Sequence, residues 1–358
     1  GNRSLYRNST EEKRYGGDVF RKTLDLELTS RAMIQINDHS DYTESFPVYY
    51  AEPSNTGKRG KNMKAKVYFT REITPEKVVE MYQALGVELP GKVAVKVHSG
   101  EKGNQNFLRP EFWRPMVEKV QGTIVECNTA YGDASGGVRD HTESHLKLLE
   151  EHGWNKYFDV DLMDAQGPDV IWPIPNGKVL KENHLGKNIM NYDSMLVLAY
   201  FKGHPMGGYG GALKQLSIGC ASRAGKALIH SAGKTDDRYE TWKQHASSVE
   251  FPEAMADAAA SAVEHFKGRT AFINVMKNLS VDCDCCAVAE DPCMKDIGIL
   301  ASTDPVAIDQ ACMDLVIHSD DPGRDHFMER VNSRNGIHTI EAAEDLGIGT
   351  REYELIEL

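Results

Sequence analysis

The chain has 358 residues, 41% of them hydrophobic and 26% charged, with a formal net charge of −12. That length is comfortable for two domains, and the acidic balance argues against nucleic acid or an anionic membrane as a partner. No run of 18 apolar residues occurs, so no membrane span is expected.

Residues 1–62 are polar and rich in Ser, Asn, Asp and Gly. They read as an N-terminal extension with strand-like runs at 32–36 and 46–50. Lys58, Arg59 and Lys61 read as a solvated turn. The chain begins Gly-Asn, as a cleavage scar would. A cytoplasmic location is favoured on composition, and export stays open. Residues 63–358 are expected to hold the compact fold, as two α/β lobes dividing near 190–270.

From there strands and helices alternate. Strands are expected at 66–70, 93–98, 123–127, 158–162, 194–201 and 270–276. Helices are expected at 74–85, 110–120, 142–152, 253–266, 304–317 and 339–346. Thr74 can cap the first helix, and Pro305 suits the first turn of its own. Pro115 could mark the true first turn of the second helix. The pattern predicts an α/β fold, Rossmann-like, with a mostly parallel sheet and helices on both faces.

In open parallel sheets, ligands bind beyond the carboxyl ends of the strands. Here four strands end on His98, on Asn128, on Lys202 and His204, and near the cysteines after residue 276. If parallel, they deliver imidazole, amide, amine and thiol groups to one rim. The stretch KGHPMGGYGGALKQL (202–216) follows a strand. Gly207, Gly208, Gly210 and Gly211 would let an anion or flat cofactor rest on bare backbone. A helix beginning near Ala212 would point its N-terminus at that ligand. Lys214 would pair with an anion or attack a carbonyl.

Four of the seven cysteines, Cys283, Cys285, Cys286 and Cys293, fall within eleven residues. In an extended segment Cys283 and Cys285 share one face, which suits a transition metal or an iron–sulfur cluster. The alternative is a loop of reduced thiols. His230, ending an apolar stretch, is a further candidate ligand. His141 and His145 read as one capping and one half-exposed histidine, and Asp309 with Asp314 as a polar helix face.

The segments KVAVKVHSGEKGNQNFLRP, IVECNTAYG, FKGHPMGGYGGALKQLSIGCASRAGKALIHSAG and NLSVDCDC resemble the family called domain of unknown function 362. Members are often labelled iron–sulfur or ferredoxin-related, which implies metal binding by Cys283 and Cys285. A narrower stretch, His204 to Lys214 to His230, is similar to a segment of the nickel-pincer lactate racemase family. The intervals are ten and sixteen residues. That resemblance implies acid–base roles for His204 and His98, a cofactor on Lys214 and a metal on His230.

Three functions follow. One is an enzyme holding an anionic small molecule or cofactor on the glycine stretch, with His98, His204 and Lys214 catalytic and Asn128 assisting. Another is a thiolate–metal redox protein. The last is a scaffold module, whose protein partner the sequence leaves unassigned.

Overall fold

The computed structural model describes residues 64–132 and 136–358, so the expected strands at 32–36 and 46–50 and the basic turn at 58–61 lie outside the described residues. The chain enters β1 (Ala65–Thr70), α1 (Pro75–Ala84), β2 (Val93–Lys96), α2 (Pro110–Val120), β3 (Thr123–Glu126), α3 (Thr142–Glu151), α4 (Trp154–Tyr157) and β4 (Val160–Leu162). Two short hairpins flank the central strand: β5 (Val170–Pro173) with β6 (Glu182–Leu185), then β7 (Ser194–Tyr200), then β8 (Lys202–His204) with β9 (Gly208–Gly210). Next come α5 (Ala212–Leu216), α6 (Arg223–His230), α7 (Glu250–Phe266), β10 (Thr270–Met276) and β11 (Gly298–Ser302). The chain closes with α8 (Pro305–Ile317), α9 (Arg324–Ser333), α10 (His338–Asp345) and β12 (Tyr353–Glu357).

Eight strands form one sheet in the order β12-β1-β11-β10-β7-β2-β3-β4. Strand β11 runs antiparallel to both neighbours, and the other pairings are parallel. From β2 the chain steps outward to β3 and β4. It returns as β7 on the other side of β2, with β10 beyond. The order therefore reverses between β2 and β7, where a doubly wound sheet opens a crevice for a ligand.

Alternation along the strands explains why both faces are covered. Met195 and Val197 of β7 pack with α5, α7 and α8, whereas Leu196 and Leu198 pack with α1 and α2 on the opposite face. A third apolar cluster, including Ile174, Ile229 and Phe251, joins the β5–β6 hairpin to α6 and α7. Among the described residues no helix is long and apolar enough to cross a membrane.

Local signals account for several boundaries. Thr74 accepts a hydrogen bond from Lys77 N–H, and Asp304 accepts from Val306 and Ala307 N–H ahead of Pro305. The second helix starts at Pro110, and Pro115 lies inside it rather than at its first turn. A proline removes one N–H and is best tolerated in the opening turn, so Pro110 takes that place.

Asp309 departs from the expectation of a polar face. It is fully buried on α8. Its carboxylate accepts from Ala212 N–H at 2.8 Å, Leu213 N–H at 3.0 Å, Tyr209 O–H at 3.1 Å and Asn274 Nδ2 at 2.8 Å. One side chain thus joins the glycine stretch, the start of α5 and strand β10. Asp309→Ala strands four buried donors, and urea unfolding should show a loss of at least about 3 kcal/mol. A loss below about 1 kcal/mol would show that the carboxylate does not organise this region.

Candidate functional site

The carboxyl ends of β2, β3 and β7 surround a cavity of about 60 Å³ at the point where strand order reverses. His98, His204, Lys214, His230 and Cys285 line it together. The loop after β10 brings the cysteines there because two loops are tied to each other. Asn104 Nδ2 donates to the Cys286 carbonyl at 2.8 Å, Asn106 Nδ2 to the Glu290 carbonyl at 2.9 Å, and Glu101 N–H to the Asp284 carbonyl at 2.8 Å. Arg330 adds a bond to Asp282 at 2.9 Å.

Hydrogen bonds assign the tautomers of His204 and His230. His204 Nδ1 accepts from Gly207 N–H at 2.8 Å and Met206 N–H at 3.2 Å. Its proton is therefore on Nε2, which faces Cys285 Sγ at 3.8 Å. His230 is the reverse. Its Nδ1–H donates to the Lys226 carbonyl at 2.6 Å, leaving a lone pair on Nε2. At His98 both ring nitrogens face donors: Gly100 N–H donates to Nδ1 at 3.2 Å and Arg139 Nη2 lies 3.3 Å from Nε2, with Asp284 Oδ2 3.3 Å from Nδ1. Asp284 Oδ2 is buried with no hydrogen-bond partner. Burial, and then Lys214, holds the His204 pKa well below the usual range; burial, and then Arg139, does so for His98. Burial brings His230 down to about 4. All three rings are neutral at pH 7.

Lys214 Nζ donates to Cys283 Sγ at 3.0 Å, and the Cys283 thiol donates to Asp284 Oδ1 at 3.1 Å. Lys202 Nζ pairs with the same carboxylate at 3.1 Å. Burial works against the Lys214 charge, but Cys283, Cys285 and Asp284 outweigh it and hold the ammonium protonated. Burial pushes the Cys283 thiol up. Cys285 is pushed up to about 12, because Cys286 and burial outweigh the opposing hydrogen bond with Cys283. With no ion bound, both are thiols.

Several site residues carry no sequence signal of the kind read above. Lys96 and Glu126 form a buried ion pair at 2.6 Å. Arg139 bonds Glu101 at 3.1 Å and Tyr131 Oη at 2.8 Å. With Lys214 and Lys226, Lys96 and Arg139 give the cavity wall four formal cations against one carboxylate, Glu126. Such a wall favours an anion.

The glycine stretch requires a correction. Gly207, Gly208, Gly210 and Gly211 do not line the cavity. A Cβ on Gly211 would lie 2.4 Å from Asp309 Oδ1, and one on Gly208 2.9 Å from Gly336 Cα. On Gly210 it would lie 3.0 Å from Lys214 Cδ, and on Gly207 3.1 Å from Met255 Cε. The excluded side chains make room for protein, and the start of α5 is capped by Asp309 rather than by a ligand. Asn128 is also placed elsewhere: it donates to Thr142 Oγ1 at 3.0 Å and faces buried His145 at 3.2 Å. His145 is thus buried rather than half exposed, and His141 is exposed beside Asp140.

The donor chemistry tests the implied metal. His204, Cys283 and Cys285 have ligand atoms within 4.8 Å of one another, as do His98, Cys283 and Asp284. Two sulfurs and imidazoles suit a soft transition metal. Cys293 bonds the Leu279 carbonyl at 3.3 Å, and no group of four thiols closes among the described residues. A four-thiolate iron–sulfur cluster therefore does not fit. A ring cofactor carried on Lys214 does not fit either, since the cavity holds only an ion and a molecule of a few atoms.

A family model, Domain of unknown function (DUF362), matches residues 93–314. No curated protein matches the chain. Among solved structures, the lactate racemase apoprotein from Thermoanaerobacterium thermosaccharolyticum is 13% identical, with a TM-score of 0.35 over 62% of this chain and 54% of that one. A Thermotoga maritima protein is 14% identical, with a TM-score of 0.35 over 76% of this chain and 58% of that one. The chain thus matches about half the length of the racemase. Likeness at this level carries no inference about activity.

The Lys96–Glu126 pair makes acid stability measurable. Burial would raise the Glu126 pKa, but Lys96 and Arg139 outweigh it and lower it from 4.5 to about 2. A depressed carboxylate pKa contributes stability above its unfolded value. That contribution, about 3 kcal/mol, is lost as pH falls from 4.5 toward 2. Glu126→Gln should be less stable at pH 7 yet lose less between pH 5 and pH 2.5. Parallel acid limbs in denaturant titrations of the two proteins would refute the assignment.

Proposed function

The chain belongs to the DUF362 family, and from that premise we propose that its cavity is a proton-transfer site for a small anionic molecule. The observation that supports this reading is that two buried, neutral imidazoles, His204 and His98, line one cavity beside four cationic side chains. His204 offers an Nε2–H, held there by the Met206 and Gly207 amides. His98, neutral and so carrying one unprotonated nitrogen, stands with Gly100 N–H at its Nδ1 and Arg139 at its Nε2. One ring can give a proton and the other take one, as acid–base catalysis requires.

The cationic wall attracts the anion and stabilises negative charge that develops beside it. Neutralising those cations lifts the His98 pKa, so an anionic ligand makes His98 a stronger base. Lys214, held by Cys283, presents its ammonium to the same cavity. The reaction class is proton abstraction and return next to a carboxylate or carbonyl group. The His204–Lys214–His230 spacing accords with it. A soft metal on Cys283 and Cys285 would add Lewis acidity at the ligand. His230, with Nδ1–H anchored on a backbone carbonyl, has the orientation common among metal-ligating histidines.

A second reading, a thiolate–metal redox protein, draws on the Cys283–Cys285–His204 group. It is the weaker, because the amides at His204 Nδ1 leave its Nε2 a donor rather than a ligand.

Two experiments separate the readings. Small chiral carboxylates incubated in D2O with the protein are followed by proton NMR for loss of the C–H signal. Exchange is expected for at least one, falling by about 100-fold or more in His98→Gln and in His204→Gln. Wild-type exchange in both variants, or none with any compound, sinks the proton-transfer reading. Elemental analysis of anaerobically prepared protein addresses the metal. Stoichiometric metal lost on Cys283→Ser but retained in His204→Gln places it on sulfur without His204.

A further inference from the structure

The cations around the cavity are not equivalent. Lys96 is matched by Glu126 at 2.6 Å, and Arg139 by Glu101 at 3.1 Å with Glu126 at 3.8 Å. Among the described residues Lys214 has no carboxylate within ion-pair distance, but its Nζ is held by Cys283 at 3.0 Å and lies in the field of Asp284. Lys226 differs. It is 5% exposed and lines the cavity, and its Nζ donates to the Ala221 carbonyl at 2.7 Å. Among the described residues no carboxylate lies within ion-pair distance of that Nζ, and Asp164 and Glu126 act on it only from farther away.

An ammonium has three N–H donors, and a carbonyl oxygen supplies no counter-charge. A buried charge without a partner is costly, and the cost disappears when an anion arrives. Burial also draws the Lys226 pKa down, the direction an arriving anion reverses. The cavity is small, about 60 Å³, which limits that anion to a few heavy atoms. Lys226 and His230 lie four residues apart on α6, and both line the cavity.

We propose that Lys226 is the residue that reads the carboxylate of the ligand, and that the ligand is a small monocarboxylate. This rests on the reading of the cavity as an anion site and adds which cation the anion meets. Lys96, Arg139 and Lys214 shape the field, while Lys226 supplies the open charge. The position is a specificity determinant: a neutral amide of the same shape lacks the charge that Lys226 selects.

The test uses acetate, acetamide and inorganic phosphate at constant ionic strength, with ligand-observed NMR on the full chain. Acetate is expected to bind the wild type, and acetamide at least 10-fold more weakly. Lys226→Met should weaken acetate by 10-fold or more, and Lys226→Arg by less. Circular dichroism checks that each variant is folded. If Lys226→Met does not fold, the side-chain signals of Lys226 are followed in the wild type, and an unmoved signal on adding acetate overturns the proposal. So does a folded Lys226→Met that binds acetate as the wild type does, while the anion reading of the cavity stands. Phosphate binding in preference to acetate overturns the carboxylate class. Absence of binding by both anions removes the cavity reading and this inference together.

Discussion

A single buried carboxylate determines where the site can form. Asp309 gathers two backbone amides, a tyrosine hydroxyl and an asparagine amide from three separate segments. Its position on α8 fixes the start of α5, and α5 carries Lys214. Strand β10 is held by the same atoms through Asn274, and β10 leads into the cysteine loop. The distance between Lys214 and Cys283 is therefore set from behind, by a residue that touches neither. Burial pushes the Asp309 pKa up, and its four donors oppose that only in part.

The alternation of elements was legible because buried parallel strands are apolar throughout and the helices after Thr74 and Asp304 carry side-chain caps. Thr74, Pro305 and the run 270–276 each gave a boundary within a residue or two. The convergence of His98, His204 and Cys285 followed from the rule on strand ends, once the strands ran parallel, whereas Lys214 and His230 were read from the glycine stretch and the racemase-like spacing. What stayed hidden was pairing over long separations. A glutamate at 126 or an arginine at 139 looks like any surface charge until Lys96 and Glu101 are folded against them. Asp309 was misread for that reason, since helical spacing cannot show that a polar residue has four partners inside. The glycines were misread in a different way. Their bareness signals close approach, but sequence does not say whether the neighbour is a ligand or Gly336.

The site joins two chemistries that usually oppose each other. Its cations favour an incoming negative charge, and the same cations, with burial, keep the histidines neutral. Neutral rings need an anchor to define which nitrogen holds the proton. Here backbone groups do so: two amides at His204 and a carbonyl at His230. Tautomer choice is thus a property of the backbone path, and side chains alone would not encode it.

The ties between Asn104 or Asn106 and the loop after β10 bridge more than 180 residues of chain. Contacts of such sequence separation carry a large loop-closure cost and form late in folding. During synthesis the histidine half of the pocket leaves the ribosome well before its sulfur half. The growing polypeptide therefore presents the cationic and imidazole wall of the pocket before the cysteine loop that completes it.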